Sequence, residues 1–253
     1  MLSTTLNQHS SIGLSMANHD MLDNKNHKDV KVITHFNNNF SENINSALIF
    51  PTEIKAAQRD YPILFVKNPE TGQFQSVVLL GLVAGENLYI NNGWQASYIP
   101  AMISKGPFII GFEEKDEHGE KVKQPIVAID MDNPRVNKES GEPIFLTDGQ
   151  ASPYLQQVNQ SLKTLHEGSQ HSQQMFSAFL KHDLIEPIAL NIELNNGEKI
   201  SLQGNYTLNE DKLAKLSGDA LNELNSSGLL RVAYFITGSL DNIQRLVDLK
   251  NNQ

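Results

Sequence analysis

Residues 51–83, PTEIKAAQRDYPILFVKNPETGQFQSVVLLGLV, decide the fold class. Pro51 suits the first position of a helix, where its missing N–H leaves no bond unmade, so a short helix is expected after it. An apolar, β-forming run from Pro62 to Val66 then meets KNPETG, where Pro69 and Gly72 supply turn chemistry, and QFQSVVLLGLV continues as a second run. This pattern predicts a β-hairpin beside a helix.

Outward from that hairpin the same alternation of hairpins and helices recurs. The break AGEN leads into LYINNGW, which reads as another short strand ending in a loop at Asn91-Asn92-Gly93. PFIIGFEE and KQPIVAID flank the charged segment KDEHGEKV and predict a further strand pair around a solvated turn. Beyond GEPIFLTDG the period changes: Leu155, Val158, Leu162 and Leu165, then Met175, Phe176, Phe179 and Leu180, mark one long broken helix or two. IALNIEL and KISLQG around Asn195-Asn196-Gly197 predict a hairpin, and Asn209 is placed to cap a helix carrying Leu213 and Leu216, with Leu221 and Leu224 further on. LLRVAYFI (229–236) reads as a buried strand and LDNIQRLVDL as a closing helix. The expected fold is α+β, mixed antiparallel hairpins with packed helices in one composite domain. Residues 1–32, polar and without periodicity, are expected as a disordered tail ahead of a domain over 33–253.

Composition narrows the function. A chain of 253 residues with 39% hydrophobic content can fill a sizeable core, and the absence of cysteine excludes disulfides, thiolate nucleophiles, iron–sulfur clusters and zinc sites that depend on sulfur ligands. A net charge of −9 without basic patches argues against nucleic-acid partners. No apolar window is long enough to span a bilayer. The first residues, MLSTTLNQHSSIGLSMANHD, lack the basic and apolar regions of a secretory signal, which points to a cytoplasmic protein, with surface association by a non-classical route as the alternative. The N-x-[ST] sequons then read as chance.

Four segments together resemble the SapC family of bacterial proteins: PTEIKAAQRDYPILF, GLVAGENLYINNGWQASYIPAMISKGPFIIGF, GEPIFLTDGQASPYL and LQGNYTLNEDKLAKLSGDALNELNSSGLLRVAYFITGSLDNIQRLV. The resemblance runs from about Phe50 to Val247, and its order and spacing are specific. The family takes its name from a component associated with a paracrystalline surface layer. It carries no assigned activity and no catalytic residues to transfer, and the related genes neighbour those of oxygenase-like and tryptophan-halogenase-like enzymes. The lack of membrane spans separates this chain from the peptide-transport permease component of the same name.

No catalytic, metal or cofactor site is expected from the residues. Phosphate-binding loops, dinucleotide fingerprints and the serine nucleophile elbow are missing. His27-Lys28-Asp29 has the spacing of a metal-binding pair but falls in the expected tail, and His166 and His171 are five apart on a helix, off a common face. Asp130 and Asp132 share a face at a strand end, where a polar edge is the plainer reading than an acid/base pair; Asp148-Gly149 reads as a turn, and the acidic run from Glu113 to Glu120 as a solvated hairpin tip. The segment 87–108 stands out, because aromatic side chains on loops favour partner sites. Asn87, Trp94, Tyr98, Pro100 and Phe108 are therefore the candidate binding residues, against the alternative that Trp94 and Tyr98 staple the hairpin sheet.

The expected function is a non-enzymatic binding or accessory protein docking a protein or peptide partner, which by the resemblance would be an oxygenase- or halogenase-like enzyme. One alternative is an enzyme or enzyme subunit in peptide or amino-acid modification, whose pocket would gather His118, Asp130, Asp132 or Asp148. A surface-layer-associated structural protein is the other.

Overall fold

A computed structural model describes residues 18–36, 40, 43–117 and 120–253, with side chains described except at 114–117 and 120–123. Its strands are β1 (His19–Met21), β2 (Lys31–Val32), β3 (Ser46–Ile49), β4 (Ile63–Lys67), β5 (Phe74–Leu79), β6 (Phe108–Glu117), β7 (Glu120–Asp130), β8 (Val136–Asn137), β9 (Glu142–Pro143), β10 (Ile185–Glu193) and β11 (Lys199–Leu208). Its helices are α1 (Ile54–Ala57), α2 (Ala101–Ser104), α3 (Pro153–Lys181), α4 (Glu210–Ala214), α5 (Gly218–Ser226), α6 (Leu229–Gly238) and α7 (Asn242–Asn251). Every strand pairing is antiparallel, and the α+β class holds.

The chain divides into two compact units, although no linker composition separates them: described residues 40–100 and 167–253 form the first, 18–36 and 101–166 the second. The first unit is built on a five-stranded sheet ordered β10-β11-β4-β5-β3. The predicted hairpin is β4–β5, with Phe65 opposite Ser76. Its turn is held by Asn68, whose Oδ1 accepts from the N–H groups of Glu70 and Thr71, and by Gly72 at φ +68°. Phe65 meets Phe176 of α3 edge-to-face at 5.0 Å, and Tyr61, Ile63, Leu64, Phe179, Ile236 and Leu246 are fully buried with it. The Asn209 side chain caps α4 as expected, accepting from Lys212 N–H at 2.7 Å.

The second unit holds two three-stranded sheets, β1-β7-β6 and β8-β2-β9. Its core gathers Val30, Val32, Phe108, Ile129, Ile144, Leu155, Val158 and Leu162. Residues 19–21 and 31–32, within the stretch read as a polar tail, are strands of these sheets.

Two segments depart from expectation. LLRVAYFI is helix α6, not a strand: Ala233, Ile236 and Thr237 are buried while Arg231 and Tyr234 face out, the three-and-four spacing of an amphipathic helix. Gly228, at φ +76°, turns the chain out of α5 directly into it. LYINNGW forms turns with one bridge between Ile90 and Trp94, because Asn92 (φ +50°) and Gly93 (φ +117°) both leave the extended region.

Gly168 is buried within α3, and a Cβ there would run into Cβ and Cγ of Phe50. Gly168→Ala should therefore lower stability by about 1–3 kcal/mol despite alanine's better helix propensity. In a Phe50→Gly background, which removes Cβ and ring together, the same change should become neutral or stabilising, a reversal that thermal denaturation of the four variants would reveal.

Candidate functional site

The segment 87–100 is tied into the first unit by hydrogen bonds rather than displayed as a surface. The Trp94 indole N–H donates to Tyr61 Oη at 2.7 Å, and its ring stacks on Tyr89 at 6.5 Å. Tyr61 Oη in turn donates to the Tyr98 carbonyl, while Tyr98 Oη donates to Glu53 at 2.8 Å. Glu53 is itself buried and also accepts from the N–H of Phe50 at 2.9 Å.

Asp60 organises the other side of this network. Its Oδ1 accepts from Arg245 at 2.6 Å, and its Oδ2 accepts from both the N–H and the hydroxyl of Ser97. The Arg245 guanidinium also reaches the Gln95 carbonyl and lies 5.6 Å from the centre of the Tyr89 ring. Burial pushes the Asp60 pKa up, but the hydrogen bonds from Ser97 and Arg245 outweigh it and hold the carboxyl below the ordinary aspartate value. Burial raises the pKa of Tyr61, Tyr89 and Tyr98 far above neutrality, so all three stay protonated and serve as donors.

The five candidate binding residues thus resolve differently. Trp94 and Tyr98 are half-buried members of this network, and Asn87 is 7% exposed, with its Oδ1 accepting from Tyr89 N–H. Pro100 is buried, and Phe108 is 0% exposed in the core of the second unit. A partner cannot reach Phe108, Asn87 or Pro100 where they stand, because loop composition signals aromatic content but not which face the loop turns inward.

The polar groups set aside from the sequence have local partners. Asp130 accepts from Asp132 N–H, and Asp148 accepts from Gln150 N–H, as turn residues do. His166 and His171 are exposed. His118 lies outside the described residues. His27 is only 3% exposed, closing a turn with Asp23, so it sits on a scaffold after all; Asp29 instead faces solvent beside Lys28. Among the described residues no three His, Asp or Glu side chains gather in a way that could hold a metal ion.

What the sequence did not reveal is a cleft of about 780 Å³ in the first unit, between α3 and the strands β3, β4 and β5. That volume lies in the range of ligand sites. One wall is a single helix face, Ser169, Ser172, Gln173, Phe176, Ser177 and Leu180, recurring at three and four. The other carries Phe74, Gln73 and Gln75, with Lys67 at the margin. Phe74 stacks on Phe176 at 5.8 Å. Ser76 shares the Phe74 face by strand alternation and is 2% exposed, yet its Oγ meets no hydrogen-bond partner among the described residues. A buried hydroxyl left so costs about 1–3 kcal/mol. The polar interruption HEGSQHSQQ between two apolar halves of α3 was the signal available, since a helix buried on that face would not carry serine and glutamine there.

An antiparallel α+β chain of two units, one holding a serine- and glutamine-lined cleft, is the class of protein the geometry defines. The chain belongs to the SapC family: the family's model matches residues 22–246, beginning inside the stretch read as a tail. No curated protein and no solved structure matches it. No helix among the described residues is long and apolar enough to cross a membrane.

Asp60 makes the network pH-dependent with a definite sign. A carboxyl whose folded pKa is lowered contributes stability above its unfolded value, about 3.9, and that contribution is lost as pH falls through the folded value. Asp60→Asn should thus cost about 1.5–3 kcal/mol at pH 7 and distinctly less at pH 3. Urea denaturation of both proteins at the two pH values checks this, and equal deficits would count against it.

Proposed function

We propose that this SapC-family chain is a non-enzymatic binding module that docks an extended peptide segment of a protein partner in the cleft between α3 and β3–β5. The observation that carries this reading is the cleft itself, of about 780 Å³, whose walls are rich in hydroxyls and side-chain amides. A peptide backbone alternates donors and acceptors, and the amides of Gln73, Gln75 and Gln173 each offer both. Phe74 and Phe176 add an apolar surface for a side chain between those contacts. Such a site binds through shape and main-chain hydrogen bonds, which suits an accessory role. By the family's habitual gene neighbours, oxygenase- and halogenase-like enzymes are the first partners whose segments should be tried.

The test selects random octapeptides displayed on phage against the whole chain and measures the winners by titration calorimetry against Ser177→Trp, which puts an indole into the cleft from an exposed helix position. Affinity should fall at least tenfold while circular dichroism and melting temperature stay unchanged. Winners that bind the variant equally well would place the peptide elsewhere and sink the reading.

A further inference from the structure

The charge at the cleft margin narrows the kind of segment that fits. Lys67 Nζ lies 5.2 Å from the ring centres of both Phe74 and Tyr206. Two aromatic faces hold the ammonium group by cation–π attraction, which orients it without neutralising it. Four other lysines of this unit end on carboxylates, Lys181 on Glu223, Lys212 on Asp183, Lys250 on Glu86 and Lys199 on Glu193, but none of the four lines the cleft. Lys67 has no such partner among the described residues, and no acidic side chain lines the cleft. In a chain of net charge −9, that leaves a local positive site beside an otherwise neutral, hydrogen-bonding groove.

We infer that the cleft selects peptide segments bearing a carboxylate, with Lys67 as the cation that recognises it; this rests on the peptide-docking reading above. The carboxylate enters the shell of the ammonium on its solvent side while the two rings hold the ammonium in place, so little side-chain freedom is lost on binding. Two sources supply the same group, the C-terminus of a partner chain and an internal Asp or Glu, and both present two acceptor oxygens to the ammonium.

The experiment probes an array of random octapeptides, tethered through their N-termini and made both as free acids and as C-terminal amides, with labelled full-length chain, Lys67→Gln and Lys67→Arg. Carboxylate-bearing peptides should dominate the wild-type binders. Lys67→Gln should bind them at least tenfold more weakly while keeping its neutral binders, and Lys67→Arg should retain the preference. Loss of binding on amidation would assign the carboxylate to a chain terminus, and its persistence to Asp or Glu side chains; either supports the inference. Binders without carboxylate enrichment, or enrichment that survives Lys67→Gln, would overturn it and leave the peptide-docking reading standing. An array with no binders at all would overturn both.

Discussion

Three distant stretches of chain meet at the Asp60 carboxylate: the end of the α1 segment that carries it, the loop at Ser97, and Arg245 of the last helix. A carboxylate taken out of water demands compensating donors, and here they come from positions 37 and 185 residues away in sequence. Once it is satisfied, the loop 87–100 has one path across the unit and α7 has one place to rest. Asn242 reinforces this, its amide donating to the carbonyls of Gln58 and Tyr61. The tyrosines and Trp94 fill the same region with rings whose polar ends all find partners. Aromatic richness there serves cohesion.

The hairpins β4–β5, β6–β7 and β10–β11 were legible because each is written in local terms, alternating or apolar runs around Gly and Asn turns. Helix α3 was legible from its period. LLRVAYFI misled because eight mostly apolar residues satisfy a strand and a helix alike; only the burial of 233, 236 and 237 against neighbouring elements decides between them. His27 and the short strands near it carry no periodicity to read, since their order comes from pairing with β7, β8 and β9, far along the chain. Of the candidate site, only Trp94 and Tyr98 kept a partial exposure. The cleft stayed hidden because it joins side chains of three strands to a helix face about a hundred residues on, and because an unsatisfied serine hydroxyl looks in sequence like any other serine.

Family membership and geometry divide the functional question between them. The SapC match covers nearly all of the chain and establishes kinship, while the chemistry of the site comes from the side chains themselves. On the docking reading, protonated phenols hold the fold while amides, hydroxyls and the Lys67 ammonium group would meet the ligand.

The close approach of Phe50 to Gly168 has a kinetic meaning. Phe50 pins α3 at one end of the cleft and the Phe74–Phe176 stack pins it at the other, so the helical wall is held at a set distance from the sheet. On the docking reading, a groove held at this spacing would need no rearrangement before a ligand enters. Association would then be a single encounter whose rate rises in proportion to ligand concentration without reaching a plateau, and differences in affinity among ligands would be expressed in how slowly they leave.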